Sequence, residues 1–426
     1  MSISYKYAAV NEAPVYESVV SRKGKKIINR ILSGTYVQLG PEDGDFVKVV
    51  TAGPDGWMKK ADLTDNMYFK VVVLDVGQGD GILIEAGGLN EANRLRILID
   101  SGPDDNMFRY LTKWQYSYLL KAKEKVKIDH VFVSHFDTDH YKGLTKILEH
   151  PLFTFGNIYH PGILKFAVSQ NLYDTDLGNL KEENGNQYLT TIFNDLLNTN
   201  NLSPFNSDIS RFIKALKKAY DEGRIAGQIA RIKAGNLLIN TQIEGKIFQV
   251  EVLAPIEENA SGNDAFIYWR EEGKTINGHS LILKITFGNR TFLFGGDHNK
   301  DSENYLIGKY KANSPFEVDV AKSCHHGSSD FTIDFMKLIN PYATIISSGD
   351  NESYAHPRAD AIGCAGKYSK GARPLVFSTE LARSVDLRTK KILYGLINCR
   401  CNGSDIYISQ MKERQNSGDL WDSYNI

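Results

Sequence analysis

Polar and apolar positions alternate in short runs along the first part of the chain. Between Val15 and Leu63 these runs read RILSGTYVQL, DFVKVV and GWMKKADL, with turn residues from Gly40 to Gly44 between the first two. A period of two with frequent turns predicts small antiparallel strands. We therefore expect residues 1–65 to form a small all-β domain that is separate from the rest of the chain.

A different pattern begins after residue 65. The run YFKVVVLDVGQGDGILIEA is almost continuously apolar, and RLRILIDSG and IDHVFVSHFDTDH follow it. Such runs predict strands whose two faces are both buried. Loops at the ends of these strands carry polar residues, which a rigid sheet can aim at one point. The residues at the predicted strand ends are Asp75, Asp100, His135, Asp297, His325, His326 and His356.

Helical periodicity replaces the strand pattern between Lys165 and Ala230. The apolar residues Ile209, Phe212, Ile213, Leu216 and Tyr220 form one stripe, which indicates an amphipathic helix. The sequence thus predicts a helical insertion at about 165–230 within a domain of residues 66–426. Its basic residues indicate either a groove for an anionic substrate or a solvated helix face: Arg211, Lys214, Lys217, Lys218, Arg224, Arg231 and Lys233.

Composition narrows the class of protein. The 426 residues are 42% hydrophobic and 24% charged, which is typical of a folded protein of two to three domains. Fifty basic and 51 acidic side chains argue against a polyanion binder that uses its whole surface. Four scattered cysteines do not form a disulfide framework or a paired zinc motif. Neither a transmembrane run nor a secretory leader is evident, so a cytoplasmic location is expected.

The strongest chemical signal is the hexapeptide His135-Phe136-Asp137-Thr138-Asp139-His140. Four ligand-type side chains within six residues are difficult to explain by structural needs alone. A tight loop of this composition, placed directly after a strand, can present its side chains to two cations. The sequence therefore predicts a metal-binding site at this loop.

The motifs around this loop identify a resemblance. SHFDTDHYKG, LDVGQGD, LIDSG, FGGDH, HHGS and a final HP occur in the order seen in metallo-β-lactamase-fold hydrolases, and they look most similar to the C-terminal hydrolase domain of the ComEC competence proteins. The resemblance implies an α/β fold, an αββα sandwich with a metal site along one sheet edge. The first 65 residues, with a Gly-Trp pair after a Pro-Asp turn, resemble a bacterial SH3-like barrel. That resemblance implies a module that binds a protein or polymer partner.

The resemblance also assigns roles to residues. It implies that the metal ligands are His135, Asp137, Asp139, His140, Asp297 and either His325 or His326. Asp139, Asp297 and His356 are the catalytic candidates. Asp100 would brace the ligand loop, and Asp75, Gln78 and Asp80 would shape the LDVGQGD turn. Tyr354 and His356 would contact substrate, and Lys322 would either offset anionic charge or form a structural ion pair.

The sequence departs from the family pattern at two points. The family has a histidine where Asp137 stands, and its third-motif histidine has no certain counterpart here. His279 and His160 are candidates for that missing ligand, or else ordinary hydrogen-bonding histidines. Because Asp137, Asp139 and Asp297 make the site rich in oxygen, we expect two divalent ions, with manganese favoured and zinc next.

These ligands indicate a reaction class. Two divalent ions activate water and stabilise charge on an anionic ester, and the helix after His140 would present its N-terminus to a phosphate. The leading hypothesis is a phosphodiesterase or nuclease acting on DNA, RNA or a nucleotide. One alternative is a hydrolase of a lactone, thioester or β-lactam. A second is a non-catalytic scaffold in which the metal only stabilises the fold.

Overall fold

The computed structural model describes residues 4–19, 26–51, 53–88, 94–167, 172–199, 201–349, 353–380, 384–386, 391–393, 396–416 and 419–426. Side chains are described for the same residues except 384–386, 391–393, 411–416 and 419–420.

A small antiparallel sheet begins the chain. It has its own apolar cluster, which includes Val15, Val37, Val49 and Met58. The strand order is β3-β2-β6-β5-β4-β1-β7. This is a sheet-rich region at the place where the alternating pattern predicted one, and its assignment as an SH3-like barrel stays a prediction. Its elements are β1 (Ser4–Ala8), β2 (Ala13–Tyr16), β3 (Ile27–Ile31), β4 (Tyr36–Asp43), β5 (Phe46–Val50), β6 (Gly56–Lys59), a 3₁₀ turn (Lys60–Asp62) and β7 (Leu63–Thr64).

The first large sheet has nine strands in the order β15-β12-β11-β10-β9-β8-β27-β28-β29. Neighbours from β10 to β15 run parallel, and the remaining pairs are antiparallel. The strands are β8 (Asn66–Leu74), β9 (Ile82–Gly88), β10 (Leu95–Ile99), β11 (Val126–Phe132), β12 (Phe153–His160), β15 (Ile229–Arg231), β27 (Leu396–Cys401), β28 (Ile406–Asn416) and β29 (Asp419–Asn425).

The second large sheet has seven strands in the order β16-β17-β20-β21-β22-β23-β24, and its last four strands run parallel. They are β16 (Leu237–Ile243), β17 (Lys246–Ala254), β20 (Ile282–Phe287), β21 (Arg290–Phe294), β22 (Val320–Lys322), β23 (Ala343–Ile346) and β24 (Leu375–Ser378). A short separate pair, β25 (Ser384–Asp386) and β26 (Lys391–Leu393), precedes β27.

The two large sheets pack face to face. Along β8, Phe69, Val71 and Val73 belong to the cluster between the sheets, where the Phe69 ring stacks on Phe287 at 5.3 Å. The alternate residue Val72 faces the other way, into the core beneath the helices. Burial of both strand faces explains why the sequence of β8 shows an apolar run and no clear alternation.

Helices cover the outer face of each sheet. Apolar residues of α1, α2, α4 and α5 share one cluster with the first sheet, and those of α7 and α8 share another with the second. This arrangement is the αββα sandwich. Among the described residues, no helix is both long and apolar enough to span a membrane. The helices are α1 (Asn106–Arg109), a π-helical turn (Tyr110–Gln115), α2 (Ser117–Lys121), α3 (Thr138–Tyr141), α4 (Leu144–Glu149), α5 (Ser207–Asp221), α6 (Glu272–Gly278), α7 (Lys300–Lys309), a 3₁₀ turn (Cys324–Gly327), α8 (Ile333–Ile339) and α9 (Ala359–Lys367).

The segment 165–230 differs from its prediction. It contains the helix α5 but also a hairpin of β13 (Leu180–Glu183) and β14 (Asn186–Leu189), which β19 (Asn263–Ile267) and β18 (Glu258–Ala260) extend to a four-stranded sheet. The hairpin turns at Asn184-Gly185, both with positive φ, as this dipeptide favours. The stripe of α5 packs into the core of the first sheet, except that Tyr220 is exposed.

Candidate metal centre

The loops that follow β10, β11, β21 and β22 converge at one edge of the sandwich. The His135–His140 loop follows β11 and runs into α3, and Asp297 follows β21. His326 lies in the 3₁₀ turn after β22. Because these strands belong to facing sheets, residues that are far apart in sequence meet between them.

Four side chains form a compact cluster at this edge. Ligand atoms of Asp139, His140, Asp297 and His326 all lie within 4.8 Å of one another. The Oδ2 atom of Asp297 is 3.0 Å from Nε2 of His326 and 3.3 Å from Nε2 of His140. The Oδ2 atom of Asp139 is 3.5 Å from Nε2 of His326. Two carboxylates and two imidazoles in this arrangement match the donor set of a divalent metal ion.

Hydrogen bonds orient both imidazoles of the cluster. Nδ1 of His140 donates to Oδ2 of Asp100 at 2.9 Å, and Nδ1 of His326 donates to the Ser347 carbonyl at 2.9 Å. Each Nε2 atom is therefore directed at the carboxylates. Asp100 is in turn held by the amide and hydroxyl of Ser134. Such outer contacts commonly fix the tautomer and orientation of metal-binding histidines.

Two sequence neighbours, His325 and His326, adopt different roles. Both have positive φ, 48° and 54°, which is a strained conformation for histidine. Only His326 joins the cluster, while Nε2 of His325 lies 3.4 Å from the amide nitrogen of Asn277. The strained turn places the second imidazole, and not the first, opposite Asp297.

The charges of the cluster raise the proton affinity of its imidazoles. Burial by itself lowers the pKa of His326, but Asp297 and Asp139 outweigh this and raise the pKa to about 9. Burial also lowers the pKa of His140, and Asp297, Asp139 and Asp100 raise it well above its ordinary value. Conversely, His326 and His140 overcome burial and hold the pKa of Asp297 well below its usual range. The anionic cluster thus binds positive charge strongly.

The LDVGQGD turn contributes a buried ion pair beside the cluster. Nζ of Lys322 lies 2.5 Å from Oδ2 of Asp80 and 3.7 Å from Oδ1 of Asp297. Oδ1 of Asp80 is 3.5 Å from Nδ1 of His326. A Cβ at Gly79, where φ is +132°, would meet the Asp139 carbonyl at 2.1 Å. Glycine therefore allows this turn to pack directly on the ligand loop.

The remaining loop residues, His135 and Asp137, lie beside the four-residue cluster. The His135 ring is buried 4.1 Å from the His140 ring, and its Nε2 atom has no hydrogen-bond partner. Burial and the neighbouring His140 lower the pKa of His135 to about 3, so its imidazole is neutral. Asp137 is 3.9 Å from that Nε2 atom, but its other oxygen pairs with Nζ of Lys165 at 2.5 Å.

Comparison with known proteins agrees with this geometry. Residues 70–164 match the family model of the metallo-beta-lactamase superfamily. The matched segment holds the LDVGQGD turn, Asp100 and the whole ligand loop.

Two curated relatives are competence proteins. ComE operon protein 3 of Bacillus subtilis (strain 168) is 24% identical over 314 residues, which cover 70% of this chain and 31% of that protein. Competence protein ComA of Neisseria gonorrhoeae is 34% identical over 82 residues, 19% of this chain and 12% of that protein. The chain thus spans about a third or less of the length of these relatives.

Among solved structures, a metallo hydrolase from the archaeon Ignicoccus hospitalis KIN4/I is similar at 14% identity. The comparison covers 76% of this chain and 98% of that chain, with a TM-score of 0.36.

Neither candidate for the missing third-motif histidine joins the metal cluster. His279 stacks on Trp269, and its Nε2 atom donates to the Ile267 carbonyl at 2.8 Å. His160 is buried 6.2 Å from the ring of Phe136, and neither of its ring nitrogens has a hydrogen-bond partner. The geometry therefore favours a hydrogen-bonding role for His279 over metal binding.

Tyr354 and His356, the residues assigned to substrate contact, lie next to each other near His326. The Nδ1 atom of His356 is 3.2 Å from the amide nitrogen of Gln78, and its ring is 6.4 Å from that of His326. Tyr354 is exposed and stacks on His356 at 5.7 Å. Asp75 accepts a hydrogen bond from the Gly77 amide, which supports the turn and does not reach the cluster.

Most of the basic residues predicted to form a surface groove have structural partners. Lys217 donates to the Thr199 carbonyl at 2.8 Å, and Arg224 is buried against Glu222. Arg231 and Lys233 share Glu257. Only three of the predicted residues project from α5 with mainly exposed side chains, namely Arg211, Lys214 and Lys218.

Sequence reasoning missed the importance of Lys165, Ser134 and Ser347. Lys165 follows β12 and reaches Asp137 from another strand end. Ser347 follows β23 and accepts a hydrogen bond from His326 through its carbonyl. Ser134 lies in the SHFDTDHYKG motif, but no short motif marks Lys165 or Ser347, because their contacts arise between distant segments.

Proposed function

We propose that this protein hydrolyses phosphodiester bonds in DNA, RNA or a nucleotide, with two divalent metal ions of which manganese is preferred. The observation that carries the proposal is the cluster of Asp139, His140, Asp297 and His326 beside a buried lysine. Carboxylates are ligands for hard divalent ions such as manganese, imidazoles also bind zinc, and a nearby fixed cation suits an anionic substrate.

The residues present fit two metal ions, of which the first would have more protein ligands than the second. Asp139, His140, Asp297 and His326 would hold the first ion. His135, with its unpartnered Nε2 atom, and Asp137 would hold the second, and Asp297 would be shared because its Oδ1 atom also has no hydrogen-bond partner. Divalent ions in these positions would supply Lewis acidity, which acidifies a water molecule and stabilises negative charge on phosphate oxygens.

The protein groups around the cluster have separate tasks. Asp100 and the Ser347 carbonyl keep the two Nε2 atoms directed inward, so that the ligands need no reorganisation. Lys322 holds Asp80 and adds a fixed positive charge next to Asp297. These contacts favour a transition state that carries additional negative charge.

His356 is suited to donate a proton to the leaving group. The Gln78 amide nitrogen can only donate, so its contact with Nδ1 of His356 leaves the proton of the neutral imidazole on Nε2. His356 also lies within ring contact of His325 and Tyr354. We assign His356 the role of general acid, with Tyr354 next to it at the entrance.

The experiment is a substrate panel on the purified chain. Bis(p-nitrophenyl) phosphate, single- and double-stranded DNA, RNA, a lactone and a chromogenic β-lactam are assayed with manganese and with zinc. We expect hydrolysis of the phosphodiesters, faster with manganese, and loss of at least about 100-fold in kcat in Asp139→Asn and Asp297→Asn. Asp334→Asn, an exposed carboxylate on α8, is the matched control and should retain full activity.

Two results would contradict the proposal. Hydrolysis of only the lactone or β-lactam would identify a different ester specificity. Full retention of phosphodiesterase activity in both ligand variants, with circular dichroism spectra unchanged, would show that the cluster is not the active site.

A further inference from the structure

A second site lies between the N-terminal sheet and the outer face of the first large sheet. It is a cavity of about 420 Å³, within the range of small-molecule sites. Tyr5 and Tyr36 line it from the N-terminal sheet, Trp114 and Tyr118 from the helical segment after β10, and Asn398 and Arg400 from β27. None of the residues that line it belongs to the metal cluster.

A row of charged side chains crosses four neighbouring strands, and three of the four, Lys70, Glu85 and Arg400, line this cavity. Arg400 of β27 pairs in register with Lys70 of β8, Lys70 with Glu85 of β9, and Glu85 with Arg96 of β10. All four are buried. The row therefore places three cations and one carboxylate on a sheet face where neighbouring positions are apolar. Buried charge of one sign requires a compensating partner.

Glu85 makes no direct contact with Arg400. Its carboxylate contacts Lys70 and accepts hydrogen bonds from Gln115 at 2.7 Å and from Tyr116 at 2.9 Å. Arg96 approaches the same carboxylate at 3.6 Å. Among the described residues, no carboxylate forms an ion pair with Arg400, whose one hydrogen bond runs from Nη2 to Oδ1 of Asn398 at 3.0 Å.

The unsatisfied groups at this end of the row are all donors. Nε and Nη1 of Arg400 and Nδ2 of Asn398 are buried and have no hydrogen-bond partner. Oδ1 of Asn398 accepts from Arg400, which fixes the amide orientation and leaves Nδ2 as the donor. Arg400 is 8% exposed and Asn398 is 3% exposed. These three donors, two of them on the guanidinium of Arg400, are suited to an anionic acceptor.

Aromatic rings form the wall of the same cavity. Tyr5 stacks on Tyr36 at 4.5 Å, and Tyr36 stacks on Tyr118 at 5.6 Å, with interplanar angles of 18° and 20°. This stack joins the N-terminal sheet to α2. The Trp114 ring is 52% exposed next to it. Parallel aromatic side chains with an exposed indole provide a surface on which a planar ring can stack.

We propose that this cavity binds a small anion that carries a planar ring, of the mononucleotide class. The anionic group is accepted by Arg400 and Asn398, and the ring stacks against the aromatic wall. The site is distinct from the metal centre and does not depend on the reaction proposed for it. Because both the N-terminal sheet and the large sandwich line the cavity, the ligand would also stabilise their contact.

The test measures binding to the full-length chain after metal removal with EDTA, so that the metal centre does not contribute. AMP, GMP, adenosine and inorganic phosphate are titrated by calorimetry, and tryptophan fluorescence reports on Trp114. We expect saturable binding of a mononucleotide that is at least about tenfold tighter than that of adenosine or phosphate. Arg400→Met should weaken this binding at least about tenfold, whereas Arg211→Met on α5 and Asp297→Asn should not change it.

A second variant tests the proposal even if Arg400→Met does not fold. Trp114→Ala changes an exposed side chain, and it should weaken nucleotide binding several-fold while phosphate binding stays the same. The proposal is overturned if neither mononucleotide binds, if phosphate binds as tightly as AMP and GMP, or if binding is unchanged in both the Arg400 and the Trp114 variants.

Discussion

Asp100 and His140 form a fully buried pair, with Oδ2 of Asp100 2.9 Å from Nδ1 of His140. Asp100 also has positive φ, 54°, and accepts hydrogen bonds from Ser134. The pair links the end of β10 to α3. The rigid sheet therefore holds the metal-binding loop in place. This carboxylate acts on the metal centre only through the imidazole that it orients.

The variant Asp100→Asn tests that relationship. The amide keeps the size of the side chain but removes the charge that fixes the His140 tautomer, so metal affinity should fall by about 10- to 100-fold. The KM at saturating metal should change little. Asp319→Asn, a buried carboxylate on the second sheet, is the matched control. Unchanged metal affinity in Asp100→Asn would contradict the positioning role.

Metal binding should depend on pH in a defined direction. In the metal-free protein the pKa of His326 is about 9, because the neighbouring carboxylates outweigh the effect of burial. Below that pH a metal ion must displace a proton from His326. The apparent affinity should therefore rise up to tenfold per pH unit for each proton displaced as pH increases towards 9, and then level off. Calorimetry in buffers of different ionisation enthalpy measures the protons released.

One result of this measurement would contradict the prediction. If metal affinity does not vary between pH 6 and about 9, no proton is displaced. The imidazoles of the cluster would then be neutral before the metal binds, or they would not be ligands.

Lys165 should lower the affinity for the second metal ion. Its ammonium group pairs with Asp137 at 2.5 Å, and a metal ion that uses this carboxylate must compete with it. Lys165→Met should tighten binding of a second manganese ion by about tenfold, equivalent to about 1.4 kcal/mol, while the first stays the same. Elemental analysis across a titration measures this. Lys142→Met, an exposed lysine near Asp208, is the control. No change in stoichiometry or affinity would show that Asp137 is not a ligand.

The sequence predicted the strands better than it predicted the contacts between them. Apolar runs with buried faces, such as Val71 to Leu74, identify strands because both sheet faces are covered. The ligand loop is also predictable, since four metal-binding side chains occur within six residues. The helical prediction for residues 165–230 is met by α5, but the segment also contains the hairpin that turns at Asn184-Gly185. This dipeptide alone favours a hairpin.

The contacts that the sequence could not show depend on distant segments meeting or on backbone conformation. Lys165 meets Asp137 only because β11 and β12 end at the same sheet edge. The choice between His325 and His326 depends on two successive residues with positive φ, which identity alone does not determine. The row of charged side chains from Arg400 to Arg96 depends on how β27 pairs with β8. These two strands are more than 300 residues apart in the chain.

The exposed lysines of α5 provide a test of polynucleotide binding. Lys214 and Lys218 are exposed, whereas Lys217 holds the Thr199 carbonyl and is left intact. Lys214→Glu with Lys218→Glu should raise the KM for long DNA or RNA by about tenfold at low salt and have a smaller effect at high salt. Hydrolysis of bis(p-nitrophenyl) phosphate should stay within about twofold. Equal effects on both substrates would show that this helix face does not bind nucleic acid.

Removal of the N-terminal sheet should preserve hydrolysis at the metal centre and weaken nucleotide binding at the second site. A chain that begins at Asn66 keeps every described residue of the metal cluster, and β8 starts at that residue. It loses the stack of Tyr36 on Tyr118 and the hydrogen bond from the Tyr7 hydroxyl to the Gly88 carbonyl. We expect hydrolysis of the small phosphodiester within about twofold of the full chain, at least about tenfold weaker nucleotide binding, and a lower melting temperature. If the shortened protein is soluble and fully metallated but inactive, the N-terminal sheet must help to form the active site.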